Sequence, residues 1–253
     1  MRRPLGTLTA AALAGAAAAG CATAPGGPAG PPHTSSAPPP ATTLTATLDT
    51  PNDITLRWRD RDPDAAVRVL EYATERHGEY VPLAFLRPGR TRFTHPDLMP
   101  DTTFSYRLRA LHGPASRAVH VTLPRGGPGE RDRERDPSWA EPRRTRAGQG
   151  RERPLRNGTA SGAPTGLTAT PRHADGVLLT WVDHAADEDG HLVEVRRHGA
   201  SAYRVVAVLD PDVTSTGVVT LPDERTADYR VRAFRYGAPS NVVHRTTGTR
   251  PPT

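Results

Sequence analysis

Two stretches of the 253-residue chain repeat each other at a fixed offset of 123 residues, and this duplication limits the possible folds more than any other feature. The matching segments are Leu44–Thr47 with Leu167–Thr170, Trp58 with Trp181, and Tyr106–Ala110 with Tyr229–Ala233. A repeat of this length, built from short runs of alternating polarity, indicates that one small β domain has been copied.

The apolar residues of both copies recur at every second position, which is the period of a β-strand. The positions expected to face a core are Ile54, Leu56 and Trp58; Val177, Leu179 and Trp181; and Phe104, Tyr106, Leu108 and Ala110. On the last of these strands, Arg107 and Arg109 are expected to point to solvent. Turn residues separate the runs and no segment keeps a helical period, so the sequence predicts an all-β sandwich.

Each repeat resembles the fibronectin type III domain family. The resemblance rests on Pro164 and Leu167, on Trp58 and Trp181, on Leu98–Tyr106 (LMPDTTFSY) and, more loosely, on Leu221–Tyr229 (LPDERTADY). It implies two tandem Greek-key sandwiches of seven strands each, in which Tyr106 and Tyr229 form a tyrosine corner with upstream backbone. Arg68 and His191 stand where the family often has an inward aromatic residue, which leaves the register of that strand open. The expected structural core consists of Trp58, Tyr106, Leu98, Trp181, Tyr229 and Leu221.

Changes in composition divide the chain into six segments. They are a signal peptide (1–20), a Pro/Gly/Ala-rich tether (21–39), a first fibronectin type III-like domain (40–123), a charged disordered linker (124–162), a second domain (163–247) and a tail (248–253). A linker of this length between compact domains predicts that the two sandwiches move nearly independently.

The N-terminus has the pattern of an export signal that ends in a lipid-attachment site. Arg2 and Arg3 precede an apolar or small-residue run over Leu5–Gly20, which is short for a membrane span. Cys21 is the only cysteine, and Ala18–Cys21 resembles a bacterial lipobox in which the thiol is acylated. We expect an extracytoplasmic protein anchored to the cell membrane through Cys21, with ordinary secretion as the alternative.

No motif for reaction chemistry is evident in the sequence. Nucleophile elbows, zinc-protease motifs and phosphate loops are missing, so the chain is expected not to be an enzyme and to need no cofactor. Asp187, Asp189 and Gly190 resemble part of a calcium-binding loop, but the later Glu that would bind calcium through both oxygens is missing from this spacing. The favoured interpretation is that these carboxylates cap turns, and no metal site is expected.

The arginines suggest two surface roles. Arg107 and Arg109 with Glu71, and Arg230 and Arg232 with Glu194, predict cross-strand charge ladders. The second half of the linker carries a possible polyanion contact formed by Arg143, Arg144, Arg146, Arg151, Arg153 and Arg156, although a solvated spacer is the favoured alternative. Both repeats are close to neutral and the excess of Arg lies in the linker, a distribution that argues against nucleic-acid binding.

These features together predict a non-catalytic envelope lipoprotein that displays two β-sandwich domains for protein interaction or adhesion. A polysaccharide-binding accessory module is the first alternative, for which Tyr236 is the best candidate exposed aromatic residue, and an unrecognised hydrolase is the second. The partner is expected to be an envelope or extracellular protein or a glycan, and the chain is expected to be a monomer.

Overall fold

The computed structural model describes residues 42–59, 61–75, 78–124, 137–156 and 160–248. The expected signal peptide, the tether with Cys21, and the tail beyond Gly248 lie outside these ranges. Within them the structure is all-β, and the helical elements are three short 3-10 turns at Pro137–Ala140, Arg146–Gly148 and Pro222–Glu224. The described ranges contain no helix long and apolar enough to cross a membrane.

The first sandwich packs a sheet of three strands against a sheet of four. The three-stranded sheet contains β1 (Thr43–Thr50), β2 (Asp53–Arg59) and β5 (Arg92–His95), and the four-stranded sheet contains β4 (Val81–Leu86), β3 (Val67–Ala73), β6 (Thr103–His112) and β15 (Val243–Thr246). Its core is formed around Trp58 by Leu56, Leu70, Tyr106 and Leu108, as the alternating pattern predicted.

The second sandwich repeats this arrangement. One sheet contains β9 (Thr165–His173), β10 (Gly176–Ala185) and β13 (Ser215–Val219), and the other contains β12 (Arg204–Leu209), β11 (Gly190–Arg197), β14 (Thr226–Pro239) and β7 (Val119–Thr122). Trp181 is buried there with Val177, Leu179, Tyr229 and Val231. The seven-strand, two-sheet sandwich implied by the family resemblance is thus present in both halves.

The last strand of each sandwich comes from the other repeat. β7 follows β6 in sequence but pairs with β14, in a register that sets Thr122 opposite Thr226. β15 follows β14 but pairs with β6, in the equivalent register that sets Thr246 opposite Thr103. Each sandwich is therefore completed by a strand that the sequence assigns to its neighbour.

The exchange requires the chain to pass very close to β14 just after β6, and Gly113 makes this possible. A Cβ atom at Gly113 would lie 2.1 Å from the carbonyl oxygen of Ala233, and its φ of 144° is one that L side chains rarely adopt. Beyond it, the Ser116 amide donates to the Val231 carbonyl at 2.7 Å. A side chain at position 113 would force the crossing segment away from β14.

The two sandwiches also share one continuous sheet, so the expectation of nearly independent domains is wrong. β6 and β14 pair directly, with Leu111 opposite Tyr236 and Arg109 opposite Pro239. The alternating pattern did not predict this pairing. It indicates which side chains of a strand are buried, but not which other strand pairs with its edge.

The segment expected to be a disordered linker is ordered over residues 137–156. Here β8 (Gln149–Arg153) pairs in parallel with the end of β10. The ring of Trp139 lies over Gly217, where an added Cβ would be 2.4 Å away, and Leu155 is buried against Ala185. The expectation of disorder is wrong for this part of the linker. It was based on the charge-rich composition, which does not indicate that Trp139 and Leu155 pack against the second sandwich.

Two further expectations about the core are wrong. Leu221 is 53% exposed, although its counterpart Leu98 is buried. A 3-10 turn begins directly after Leu221. Glu224 at the end of this turn is buried instead of Leu221, and its carboxylate accepts a hydrogen bond from the Leu221 amide. The turn therefore rotates Leu221 outward.

The tyrosine corner is also not formed. The Tyr106 hydroxyl lies 3.0 Å from Nδ1 of His95, a side-chain contact, and the Tyr229 hydroxyl is buried without a hydrogen-bond partner. Burial raises the pKa of Tyr229 to about 12. The remaining expected core residues, Trp58, Tyr106, Leu98, Trp181 and Tyr229, are all buried.

Candidate binding cleft between the two sandwiches

The four-stranded sheets of the two sandwiches turn their outer faces toward each other. These faces share an apolar cluster made of Val67, Val69, Leu111, Leu192 and Phe234. All five belong to strands whose opposite faces line the two Trp-centred cores. The strands between the sandwiches are consequently buried on both faces, which explains why burial is nearly continuous along β3 and β11 even at their polar residues.

A Glu–Arg–Tyr group occurs twice on these facing sheets, at positions related by the sequence repeat. In the first sandwich Arg107 Nε donates to Glu71 at 2.5 Å and its guanidinium lies 4.1 Å from the centre of the Tyr80 ring. In the second, Arg230 Nε donates to Glu194 at 2.6 Å and its guanidinium lies over the Tyr203 ring at 3.8 Å. The expected cross-strand pairs of Arg107 with Glu71 and of Arg230 with Glu194 are confirmed, whereas Arg109 lies over the ring of Tyr236 instead.

The expectation that Arg107 and Arg109 point to free solvent is wrong for Arg109, which contacts the other repeat, as does its counterpart Arg232. Arg232 is buried; it donates to Glu194 and, across to the first repeat, to the Gly113 carbonyl at 2.6 Å. Burial lowers the pKa of Arg232, against the raising effect of Glu194. Arg109 lies 3.9 Å over the ring of Tyr236, so that aromatic face is already occupied.

A cleft of about 860 Å³ opens where the two sandwiches diverge. One wall is the end of β4 with Phe85, Arg87 and Arg90, and the other is the start of β12 with Tyr203 and Val205. Both β4 and β12 are edge strands, because each pairs with a single neighbour in the described sheet. Within the described ranges no strand pairs with their outer edges.

The charges of the cleft are largely paired, with two exceptions among the described residues. Arg204 pairs with Glu224, Arg197 with Asp223, and Arg230 with Glu194. Arg87 and Arg90 are exposed and have no carboxylate partner within the described ranges; Nε of Arg90 donates to the backbone of Arg92. These two guanidinium groups leave one wall of the cleft electropositive.

The six linker arginines singled out from the sequence are all exposed. Arg143 donates to the Ser138 carbonyl at 2.7 Å, and Arg144 contacts Asp212 and the Pro211 carbonyl. Arg151 and Arg153 lie on β8. The structure thus sets these arginines on a segment bound along the second sandwich, where Arg143 and Arg144 are engaged.

The calcium-like loop has the structural role favoured from the sequence. Asp187 accepts a hydrogen bond from the Leu155 amide at 2.7 Å and pairs with Arg235, and Asp189 accepts one from the Tyr236 amide at 2.7 Å. Both carboxylates therefore hold backbone in place. Sequence reasoning did not identify the cleft itself, because Arg87 and Arg90 are far from Tyr203 in the chain and no periodicity connects them.

Comparison with known proteins gives fold neighbours only. No family model and no curated protein matches the chain. Among solved structures it is similar to a two-domain fibronectin type III segment of chicken tenascin, with 16% identity, a TM-score of 0.26, and coverage of 79% of this chain and 94% of that one. It is also similar to the central fibronectin type III array of RIM-binding protein, with 13% identity, a TM-score of 0.24, and coverage of 78% and 60%.

The strand order defines the class of fold. Each half of the molecule is a fibronectin type III-like β-sandwich, and the two halves are joined by exchanged strands.

Proposed function

We propose that this protein is a non-catalytic interaction module, held at the outer side of a membrane by a lipid on Cys21, that binds an extended acidic segment of a partner protein in the cleft between its sandwiches. The observation that carries the proposal is an open strand edge facing two unpaired arginines across that cleft. An added strand gains backbone hydrogen bonds along the edge, while side-chain complementarity selects its sequence.

β12 is the better of the two edges for such pairing. β4 carries Pro82, which lacks an amide donor and is typical of edges protected against added strands. β12 (RVVAVL) contains no proline, and its Val208 is exposed. A strand paired with β12 would place alternate side chains toward Arg87 and Arg90, where carboxylates form charge-assisted hydrogen bonds.

A glycan receives less support than a peptide. Sugar sites use open aromatic faces, but Arg109 covers Tyr236, and the guanidinium groups of Arg196 and Arg230 lie 4.9 Å and 3.8 Å from the Tyr203 ring centre. The interaction proposal therefore rests on backbone pairing and charge.

Binding of defined peptides tests the cleft. We expect a fluorescein-labelled peptide of four Glu-Thr repeats to bind the full chain and to weaken as salt is added, whereas four Arg-Thr repeats do not bind. Arg87→Glu combined with Arg90→Glu should weaken binding at least tenfold. Arg57→Glu, on the exposed face of β2, is the matched control and should leave affinity unchanged. Equal affinity in all three proteins, or no binding, would reject the cleft as the site.

Mass spectrometry of the mature N-terminus tests the anchor separately. We expect cleavage before Cys21 and the added mass of a diacylglycerol group. A mature chain that begins elsewhere or carries an unmodified cysteine would remove the membrane from the proposal and favour secretion.

A further inference from the structure

Three side chains around the β10–β11 turn bring potential metal-ligand atoms together. Asp183 lies near the end of β10, Glu188 lies in the turn and His191 is the second residue of β11. One ligand atom from each lies within 4.8 Å of the other two. Asp183 and His191 are buried, and Glu188 is half-buried on the side nearest solvent.

His191 has no well-aligned hydrogen-bond partner that would account for its burial, although its Nε2 forms an ion-pair contact with Asp183. Its side chain is 0% exposed, and neither ring nitrogen makes a hydrogen bond. Nε2 approaches Asp183 Oδ1 at 3.3 Å without the alignment of a hydrogen bond, and the ring lies 5.8 Å from the centre of Trp181. Buried polar atoms without partners are rare and costly, so they point to a missing ligand.

We propose that Asp183, Glu188 and His191 form a zinc-binding site in the second sandwich. Two ligands bonded to one tetrahedral zinc ion at about 2.0–2.1 Å lie about 3.3 Å apart. This is the separation of His191 Nε2 from Asp183 Oδ1. One imidazole with two carboxylates suits zinc better than calcium, which takes oxygen ligands alone.

Neighbouring backbone groups hold the two carboxylates in position. Asp183 Oδ1 accepts a hydrogen bond from the Ala185 amide at 3.0 Å, and Glu188 Oε1 accepts one from the Asp212 amide at 3.2 Å. Such outer contacts orient ligands and are a regular part of metal sites. Solvent can supply the fourth ligand from the side of Glu188.

The electrostatics of the cluster also suit a divalent cation. Asp183 is buried and Glu188 is half-buried, and a carboxylate oxygen of each lies within 4.8 Å of the other. Two carboxylates that repel each other in a partly buried place are stabilised by a cation between them.

The first repeat lacks this ligand set, which fixes the expected stoichiometry. The counterpart of His191 is Arg68, whose NH2 group donates to the Asp62 carbonyl, and the counterpart of Glu188 is Ala65. An arginine does not bind zinc, so the chain should take up one equivalent and not two.

Calorimetric titration of the metal-free full chain with zinc chloride tests the site. We expect one equivalent with micromolar or tighter affinity, and a rise in unfolding temperature when zinc is present. Cobalt(II) should bind in its place and give the visible absorption bands of a four- or five-coordinate nitrogen and oxygen site.

Variants assign the ligands. His191→Phe keeps a ring beside Trp181 and should abolish zinc binding. Glu188→Gln lies at a half-exposed position that tolerates the change and should weaken zinc binding at least tenfold. His184→Gln is the control, because its ring contacts Thr165 and the Arg151 carbonyl instead of the cluster. If His191→Phe fails to fold, Glu188→Gln decides. No uptake by the unaltered chain, or full uptake by Glu188→Gln, would overturn the proposal.

Discussion

Tyr106 and Tyr229 occupy equivalent positions of the repeat and are both buried, yet their hydroxyl groups meet different surroundings. The Tyr106 hydroxyl has His95 at 3.0 Å, whereas that of Tyr229 has no partner. The same divergence appears at Leu98 and Leu221, of which only the first is buried. At the residue scale, the duplication has kept positions while the interactions made at those positions have changed.

Removing the two hydroxyl groups should therefore have different effects. We expect Tyr106→Phe to lower the free energy of unfolding by about 0.5–1.5 kcal/mol, because a hydrogen bond is lost. Tyr229→Phe should be neutral or stabilising, because it removes a buried polar atom without a partner. Urea unfolding of the two variants checks this, and an equal loss in both would contradict the contacts described here.

His95 should make the stability depend on pH. Burial lowers the pKa of His95 below its ordinary value of 6.5, so the unfolded chain binds the proton more readily than the folded one. The stability that neutral His95 contributes is present above pH 6.5 and is lost as the pH falls from there through the folded pKa. His95→Phe should remove this component.

Urea titrations of the unaltered protein and of His95→Phe at pH 7.5 and 5.5 measure the effect. The loss of unfolding free energy on acidification should be smaller in the variant. An identical loss in both proteins would show that His95 does not carry the dependence.

At the scale of elements, the exchange of β7 and β15 is the main feature of the architecture. The β15 segment is embedded in the first sandwich: Asn241 bonds to both backbone groups of Leu44, and Arg245 donates to the Ala46 carbonyl at 2.8 Å. Because the two registers are equivalent, an unexchanged arrangement would satisfy the same ladders. The exchange is therefore decided by the crossing of the chain at Gly113 and by the pairing of β6 with β14.

Cross-linking distinguishes the exchanged arrangement from the unexchanged one. In a Cys21→Ser background, we expect Thr103→Cys with Thr246→Cys to form a disulfide, because these residues are direct partners on neighbouring strands. Thr226→Cys with Thr246→Cys is the matched pair for an unexchanged chain and should remain reduced. Mass spectrometry of peptides after mild oxidation reads the result, and the opposite pattern would refute the exchange.

At the scale of the whole molecule, the exchange joins the two cores thermodynamically. Val121 and Leu123, from the first repeat, pack into the cluster around Trp181, and Val243, from the second, packs against the cluster around Trp58. Neither sandwich can be dismantled without removing a strand from the other. A two-domain chain of this kind should unfold as one cooperative unit.

Trp58→Ala tests this coupling. Truncating a buried tryptophan costs about 3–5 kcal/mol. We expect this loss of stability to lower the unfolding temperature of both sandwiches. Calorimetry measures the unfolding temperature, and hydrogen exchange at amides of β6 and β14 reports on each sandwich separately. Met99→Ala, at a site 65% exposed, is the control and should change little. A second sandwich that keeps its original transition would contradict the coupling.

The sequence alone determined the fold class, the strands and both tryptophan cores, because alternating burial along a strand is a local property that one chain segment encodes. Ile54, Leu56 and Trp58, with their counterparts Val177, Leu179 and Trp181, could be assigned to a core without knowing what lies opposite. The tertiary structure alone decided the rest: which repeat supplies β7 and β15, that Arg109 and Arg232 contact the other repeat, and that Arg87 and Tyr203 border one cleft. These contacts join residues far apart in the chain, and their partners are selected by packing and strand-edge pairing, which no local pattern records.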